Sequence, residues 1–192
     1  MNGAVIFDLD GTLTRPFLDF DAIRAELGLP PGPILEAMSR MTAPDRQRAE
    51  VVVHEHERRA AEQAELQPGA CETIDHLRSR GFPVAILTRN SRISTGTVLN
   101  RFAIRVDAIR TRDDGVVKPS PEPVLALCRT LGVDPRASWM VGDYLFDIQA
   151  GRAAGATTIL LQVDDAPPSF AGEADHVIQS LPEVLAVVDD AG

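Results

Sequence analysis

The chain has 192 residues with 44% hydrophobic and 24% charged side chains, an ordinary balance for a globular domain with one sizeable core and room for a small appendage. A net charge of −9 works against binding nucleic acid or an anionic membrane, so an anionic substrate needs a locally positive pocket. Two cysteines, Cys71 and Cys128, have no zinc-type spacing and read as buried thiols of a reducing compartment, and no stretch has the length of a signal region or membrane span; a cytoplasmic location is expected.

Taken in order, Ala4–Phe7 is a short, continuously apolar run, the pattern of a strand covered on both faces of a parallel sheet. It stops abruptly at Asp8-Leu-Asp10-Gly-Thr12. Asp19–Leu27 predicts a short helix with an aspartate at its start and Gly28 past its end, and Pro30–Pro33 a stiff turn. Ile34–Met41 predicts a second helix, and Ala43 to about Leu66 a long charged one, closed by Pro68-Gly69. From there the rhythm is strand and helix in alternation. Helices are expected over Ala70–Arg80, Ser91–Phe102, Glu122–Leu131, from Asp147 to about Ala154, and over Leu181–Val188. Strands are expected over Val84–Leu87, Ala108–Thr111, Trp139–Val141, Thr157–Leu161 and His176–Ile178. Such alternation predicts an α/β fold with a doubly wound, mostly parallel Rossmann-like sheet.

Asp8 and Thr88 stand 80 positions apart, whereas a simple strand–helix–strand crossover needs only about 30 residues. The surplus, residues 16–66, reads as wholly helical. We therefore expect a small all-helical cap inserted after the first strand, with residues 1–15 and 67–192 forming the catalytic core.

In a doubly wound sheet the carboxyl ends of the strands face one crevice. Four acids collect there: Asp8 and Asp10 from the first strand, Asp143 and Asp147 after the strand at Trp139. Thr88 comes from the end of the strand at Val84, and Lys118 precedes Pro119-Ser-Pro121 where a helix begins. Acids crowded at one rim repel unless a cation holds them, and a hard divalent ion such as Mg²⁺ prefers oxygen ligands shared with phosphate. Of 19 basic residues 18 are arginine and one is lysine, Lys118, which argues for a need that arginine does not meet there. Taken singly, Thr88 reads equally as a helix cap and Asp147 as an acid complementing a helix dipole. His54 and His56, at i and i+2, point to different helix faces and read as solvated surface.

These pieces, Asp8-Leu-Asp10-Gly-Thr12, Thr88, Lys118-Pro119 and Gly142-Asp143-Tyr-Leu-Phe-Asp147, resemble in type and order the haloacid dehalogenase superfamily, specifically its capped, phosphoglycolate-phosphatase-like branch. The resemblance implies a phosphatase acting on a small phosphorylated metabolite through an aspartyl-phosphate. In it, Asp8 is the nucleophile and Asp10 the general acid and then base. Mg²⁺ is held by Asp8, the Asp10 backbone carbonyl and Asp143, with Asp147 completing the set. Thr88 and Lys118 bind the phosphoryl oxygens, with the neighbouring Arg89 and Asn90 as further substrate contacts. A phosphomutase of the β-phosphoglucomutase type shares every motif and is the alternative; a catalytically silent module on the same fold is a more distant one. Asp10 argues against a dehalogenase, and the absence of lysine from residues 16–66 argues against a phosphonoacetaldehyde hydrolase. The insertion is short for this branch, which points to substrates larger than phosphoglycolate.

Overall fold

The computed structural model describes residues 3–163 and 166–190. Six strands form one sheet: β1 (Val5–Phe7), β2 (Val84–Leu87), β3 (Ala108–Arg110), β4 (Trp139–Gly142), β5 (Thr157–Leu161) and β6 (His176–Ile178). Their order is β3-β2-β1-β4-β5-β6, and every neighbouring pair is parallel. Val5 is in register with Val84 on one side and Trp139 on the other, so β1 is central. The chain leaves β1 towards β2 and β3, then returns to β1's other side for β4. That reversal opens a crevice between the carboxyl ends of β1 and β4, the place where open α/β sheets bind ligands.

The helices are α1 (Phe20–Leu27), α2 (Ile34–Ser39), α3 (Ala43–Gln63), α4 (Ala70–Ser79), α5 (Arg92–Arg101), α6 (Glu122–Leu131), α7 (Leu145–Ala154) and α8 (Glu183–Asp190). Local chemistry sets their ends. The Asp19 side chain accepts from the Ala22 amide, and Gly28 closes α1 in the left-handed conformation at φ 64°. None of these helices is long and apolar enough to cross a membrane.

Side chains alternate across the sheet into two cores. Phe7, Ile74, Ile86, Val141 and Ile159 pack on one face, and Ile6, Ala85, Leu127 and Met140 on the other. A third cluster, Ile23, Ile34, Met38, Ala49 and Val53, lies wholly within α1–α3. The sequence predicts the long helix to about Leu66, but α3 ends at Gln63 and Ala64 turns extended. The residues that follow pair back with the chain leaving β1: Leu66 bridges Thr14, the Arg15 amide donates to the Glu65 carbonyl at 2.8 Å, and the Gln67 amide donates to the Leu13 carbonyl at 2.9 Å. Entry to and exit from the helical segment therefore lie side by side. The last helix also begins later than expected, at Glu183 rather than Leu181; Leu181 is buried in the core instead.

The start of the central strand is tied by a side chain. The Ala4 amide donates to Ser138 Oγ at 3.0 Å, and that hydroxyl donates onward to the Asp134 carbonyl at 2.8 Å, with Ser138 fully buried. Ser138→Ala leaves the Ala4 amide without a partner and is expected to cost about 1–3 kcal/mol in urea unfolding. A loss below about 0.5 kcal/mol, within the ordinary range of surface substitutions, would contradict that anchoring role.

Candidate active site

Asp8 is the first residue past β1, and its amide still donates to the Val141 carbonyl at 2.8 Å, so sheet hydrogen bonding fixes its backbone. Its carboxylate accepts from the Leu9 amide at 2.7 Å. The chain then folds into a tight turn in which the amides of Leu13 and Thr14 both donate to the Leu9 carbonyl at 2.9 Å. Gly11 makes this turn at φ 85°, and a Cβ there would stand 2.3 Å from an Asp143 carboxylate oxygen. Glycine is therefore required twice, by conformation and by the approach of the acid. Thr12 completes the contact, its hydroxyl donating to Asp143 Oδ1 at 2.8 Å.

A comparable constraint shapes the end of β4. A Cβ on Gly142 would lie 2.2 Å from the Asp147 side chain. Asp147 sits in the first turn of α7, where one carboxylate oxygen accepts from the Tyr144 amide at 3.1 Å. The other accepts from Lys118 Nζ at 2.5 Å. Lys118, only 2% exposed, also lies 2.9 Å from Asp8 Oδ1. Burial disfavours its ammonium, but the Asp147 and Asp8 carboxylates outweigh that and hold the lysine above its ordinary range.

Asp8, Asp143 and Asp147 each present a carboxylate oxygen, all within 4.8 Å of one another. One lysine does not neutralise three such acids. Burial pushes the Asp143 carboxyl well above the usual carboxylate range, reinforced by Asp8 and Asp147. Burial also raises Asp147 to about 6, even though Lys118 pulls the other way. An all-oxygen set that repels itself fits a hard divalent cation. The Asp10 carboxylate stands apart from these three. It accepts from the Phe17 amide at 3.3 Å, and burial, helped by the Asp8 and Glu57 charges, raises it to about 7.

At the end of β2, Thr88 is 2% exposed. Its hydroxyl oxygen accepts from the Asn90 amide at 3.1 Å, and its O–H finds no acceptor among the described residues. It does not cap α5: Ser91 does, accepting from the Ser94 amide at 3.3 Å. Arg89 is held rather than free. It donates to the Lys118 carbonyl at 2.7 Å and to both oxygens of Glu36 at 2.9 and 2.7 Å, and lies 4.7 Å from the centre of the Phe146 ring. Asp8, Asp10, Thr88, Arg89, Asn90 and Asp143 all line one cavity of about 530 Å³, whose other wall comes from α1–α3 and the loops joining them. Lys118 and Asp147 lie beneath its floor.

Glu57 is a feature that the sequence reading passed over. It is 3% exposed on α3, accepts from the Ser91 amide at 3.2 Å, and is ion-paired with Arg112. A signal was present: Ala49, Val53, Glu57 and Ala61 repeat every four residues along one buried stripe, and the acid is its only charge. Of the two histidines on α3, His54 is exposed and His56 lies 2.9 Å from Glu26.

The description of the haloacid dehalogenase-like hydrolases matches residues 34–155, a span containing Thr88, Lys118, Asp143 and Asp147. The chain is 33% identical over 170 residues to a haloacid dehalogenase-like hydrolase domain-containing protein of Arabidopsis thaliana, covering 82% of this chain and 69% of that one. It is 28% identical to the phosphoglycolate phosphatase of Chromobacterium violaceum, covering 94% of each. Among solved structures, a hydrolase from Pseudomonas syringae superposes with a TM-score of 0.84 over 99% of both chains at 24% identity. The fold, the switch-point acids and these relatives converge: the chain belongs to the haloacid dehalogenase-like hydrolase family.

Proposed function

We propose that this protein is a Mg²⁺-dependent phosphatase that hydrolyses a small phosphomonoester through an aspartyl-phosphate on Asp8. One observation carries the reading: Asp8 faces the cavity at the topological switch point while a buried ammonium and two further acids surround its carboxylate. The names of relatives support the reaction class, phosphoglycolate phosphatase in one and N-acetylmuramic acid 6-phosphate phosphatase in another.

Phosphate monoesters hydrolyse very slowly unaided, so catalysis must come from positioning, charge neutralisation and a covalent detour. The Asp8 carboxylate attacks phosphorus in line; the P–O bond to the leaving group breaks as the new P–O bond forms. Asp10, raised towards neutrality, gives its proton to the departing oxygen and then takes one from the water that cleaves the acyl phosphate. Lys118 orients Asp8 and offsets the charge gathering on the phosphoryl oxygens. Thr88 turns its uncommitted O–H to one of those oxygens. Asp8, Asp143 and the Asp10 backbone carbonyl, with Asp147 completing the set, would hold Mg²⁺, which when bound would shield the anionic nucleophile from an anionic substrate. Residues 16–66 act as a cap that excludes bulk water and selects the leaving group.

Four outcomes are expected for the purified protein. Asp8→Asn should lower turnover of phosphomonoesters by at least about a thousandfold with an unchanged circular dichroism spectrum; residual activity near wild type would overturn the nucleophile assignment. The wild-type product should be inorganic phosphate with no bisphosphate added, whereas an absolute requirement for a bisphosphate would favour the phosphomutase. Saturating Mg²⁺ should raise the melting temperature by several degrees, since about a hundredfold excess over Kd stabilises by about 2.7 kcal/mol. Asp143→Asn, which removes one of the repelling charges, should melt no lower than wild type without Mg²⁺ and lose most of the Mg²⁺ shift. An undiminished shift would remove Asp143 from the ligand set.

A further inference from the structure

The cavity is walled very differently at its two ends. At the sheet it is acidic, apart from the buried Lys118 below. Towards α1–α3 its wall is largely apolar, built from Leu18, Phe20, Ile23, Ile34 and Val53, with Glu57 as an acid on that side and Phe146 of α7 beside it. Among the described residues, the only cationic side chains lining it are Arg24 and Arg89. Both already hold a carboxylate: Arg24 lies 2.6 Å from Asp21, and Arg89 lies 2.7 Å from Glu36. Glu36 is held in its charged form; burial resists ionisation, but its hydrogen bonds from Arg89 and the Arg89 charge prevail and lower its carboxyl below the usual range.

A leaving group that carries its own anion would therefore meet no unpaired cation on this wall. It would have to displace Glu36 from a guanidinium that is also pinned by the Lys118 carbonyl and the Phe146 ring. The uncovered Glu36, half-buried beside the cavity, would then face the incoming charge, and like charges brought together are disfavoured. Size points the same way. A cavity of about 530 Å³ is in the range that takes drug-sized ligands, several times the need of a phosphoryl group on a two-carbon acid.

Resting on the phosphatase reading of the same site, we infer that Glu36 is a specificity-determining residue: by occupying Arg89 it restricts the enzyme to phosphomonoesters of bulky, uncharged, largely apolar alcohols and rejects substrates with a second anion. The residue acts from the insertion, 53 positions before the arginine it neutralises. It touches no reacting atom, so its effect falls on which leaving group binds.

The test compares 2-naphthyl phosphate with 6-carboxy-2-naphthyl phosphate, a pair matched in shape and leaving-group ring, in the presence of Mg²⁺. Wild type should favour the uncharged ester in kcat/KM by at least about tenfold. Glu36→Gln frees the arginine's charge, and the ratio of the two kcat/KM values should fall about tenfold, chiefly through a lower KM for the carboxylated ester. A mere loosening of the insertion would move both esters together and leave the ratio in place, which overturns the proposal. So does a wild-type preference for the carboxylated ester, a result that needs no variant. If the wild type hydrolyses neither these esters nor any other phosphomonoester, the phosphatase reading itself falls and takes this inference with it; turnover with the wrong preference sinks the inference alone.

Discussion

Everything at the sheet's carboxyl edge is arranged around one buried ammonium. Lys118 lies between Asp8 and Asp147, with almost no surface left to water. A lysine so placed would be costly if unpaired, and the acids beside it would be costly without it. The mutual dependence fixes three chain segments at once: the end of β1, the start of α7 and the loop before α6. Asp143 joins through the Thr12 hydroxyl and through the space a glycine at position 11 leaves open. The cluster still carries more negative than positive charge, and such an all-oxygen set fits a hard divalent cation.

The residues gathered at the crevice were readable because strand ends leave short, sharp signatures. A buried parallel strand is an uninterrupted apolar run, and acids directly after it have few structural uses. The lone lysine was a second signal: at a fully buried position between two carboxylates, a compact point charge fits where a planar guanidinium would need more room and more acceptors. The ambiguity over Thr88 yields to a neighbour, since Ser91 takes the capping role and leaves the threonine hydroxyl free of it.

What the sequence did not disclose depends on contacts between distant segments. The end of α3 moved inward because Glu65–Gln67 pair with Leu13–Arg15, an exchange invisible to helix propensity. The expectation of Arg89 as a substrate contact treated it as available, and its carboxylate partner comes from Glu36 of α2, 53 positions earlier. Glu57 is different. Its place on a stripe of buried residues repeating every four positions is a signal present in the sequence, though passed over there, and its charge is met by Arg112 and the start of α5. These two acids thus make separate contacts: Glu57 joins α3 to Arg112 and the start of α5, and Glu36 of α2 pairs with Arg89 at the cavity.

The central claim is that acids remote in sequence hold one divalent ion beside Lys118. A crystal of the protein soaked in Mn²⁺, with diffraction recorded at the manganese edge, tests it directly. The account predicts a single strong anomalous peak bounded by the carboxylates of Asp8 and Asp143, on the cavity side of Lys118. A peak elsewhere, or none at this position at saturating Mn²⁺, would contradict it.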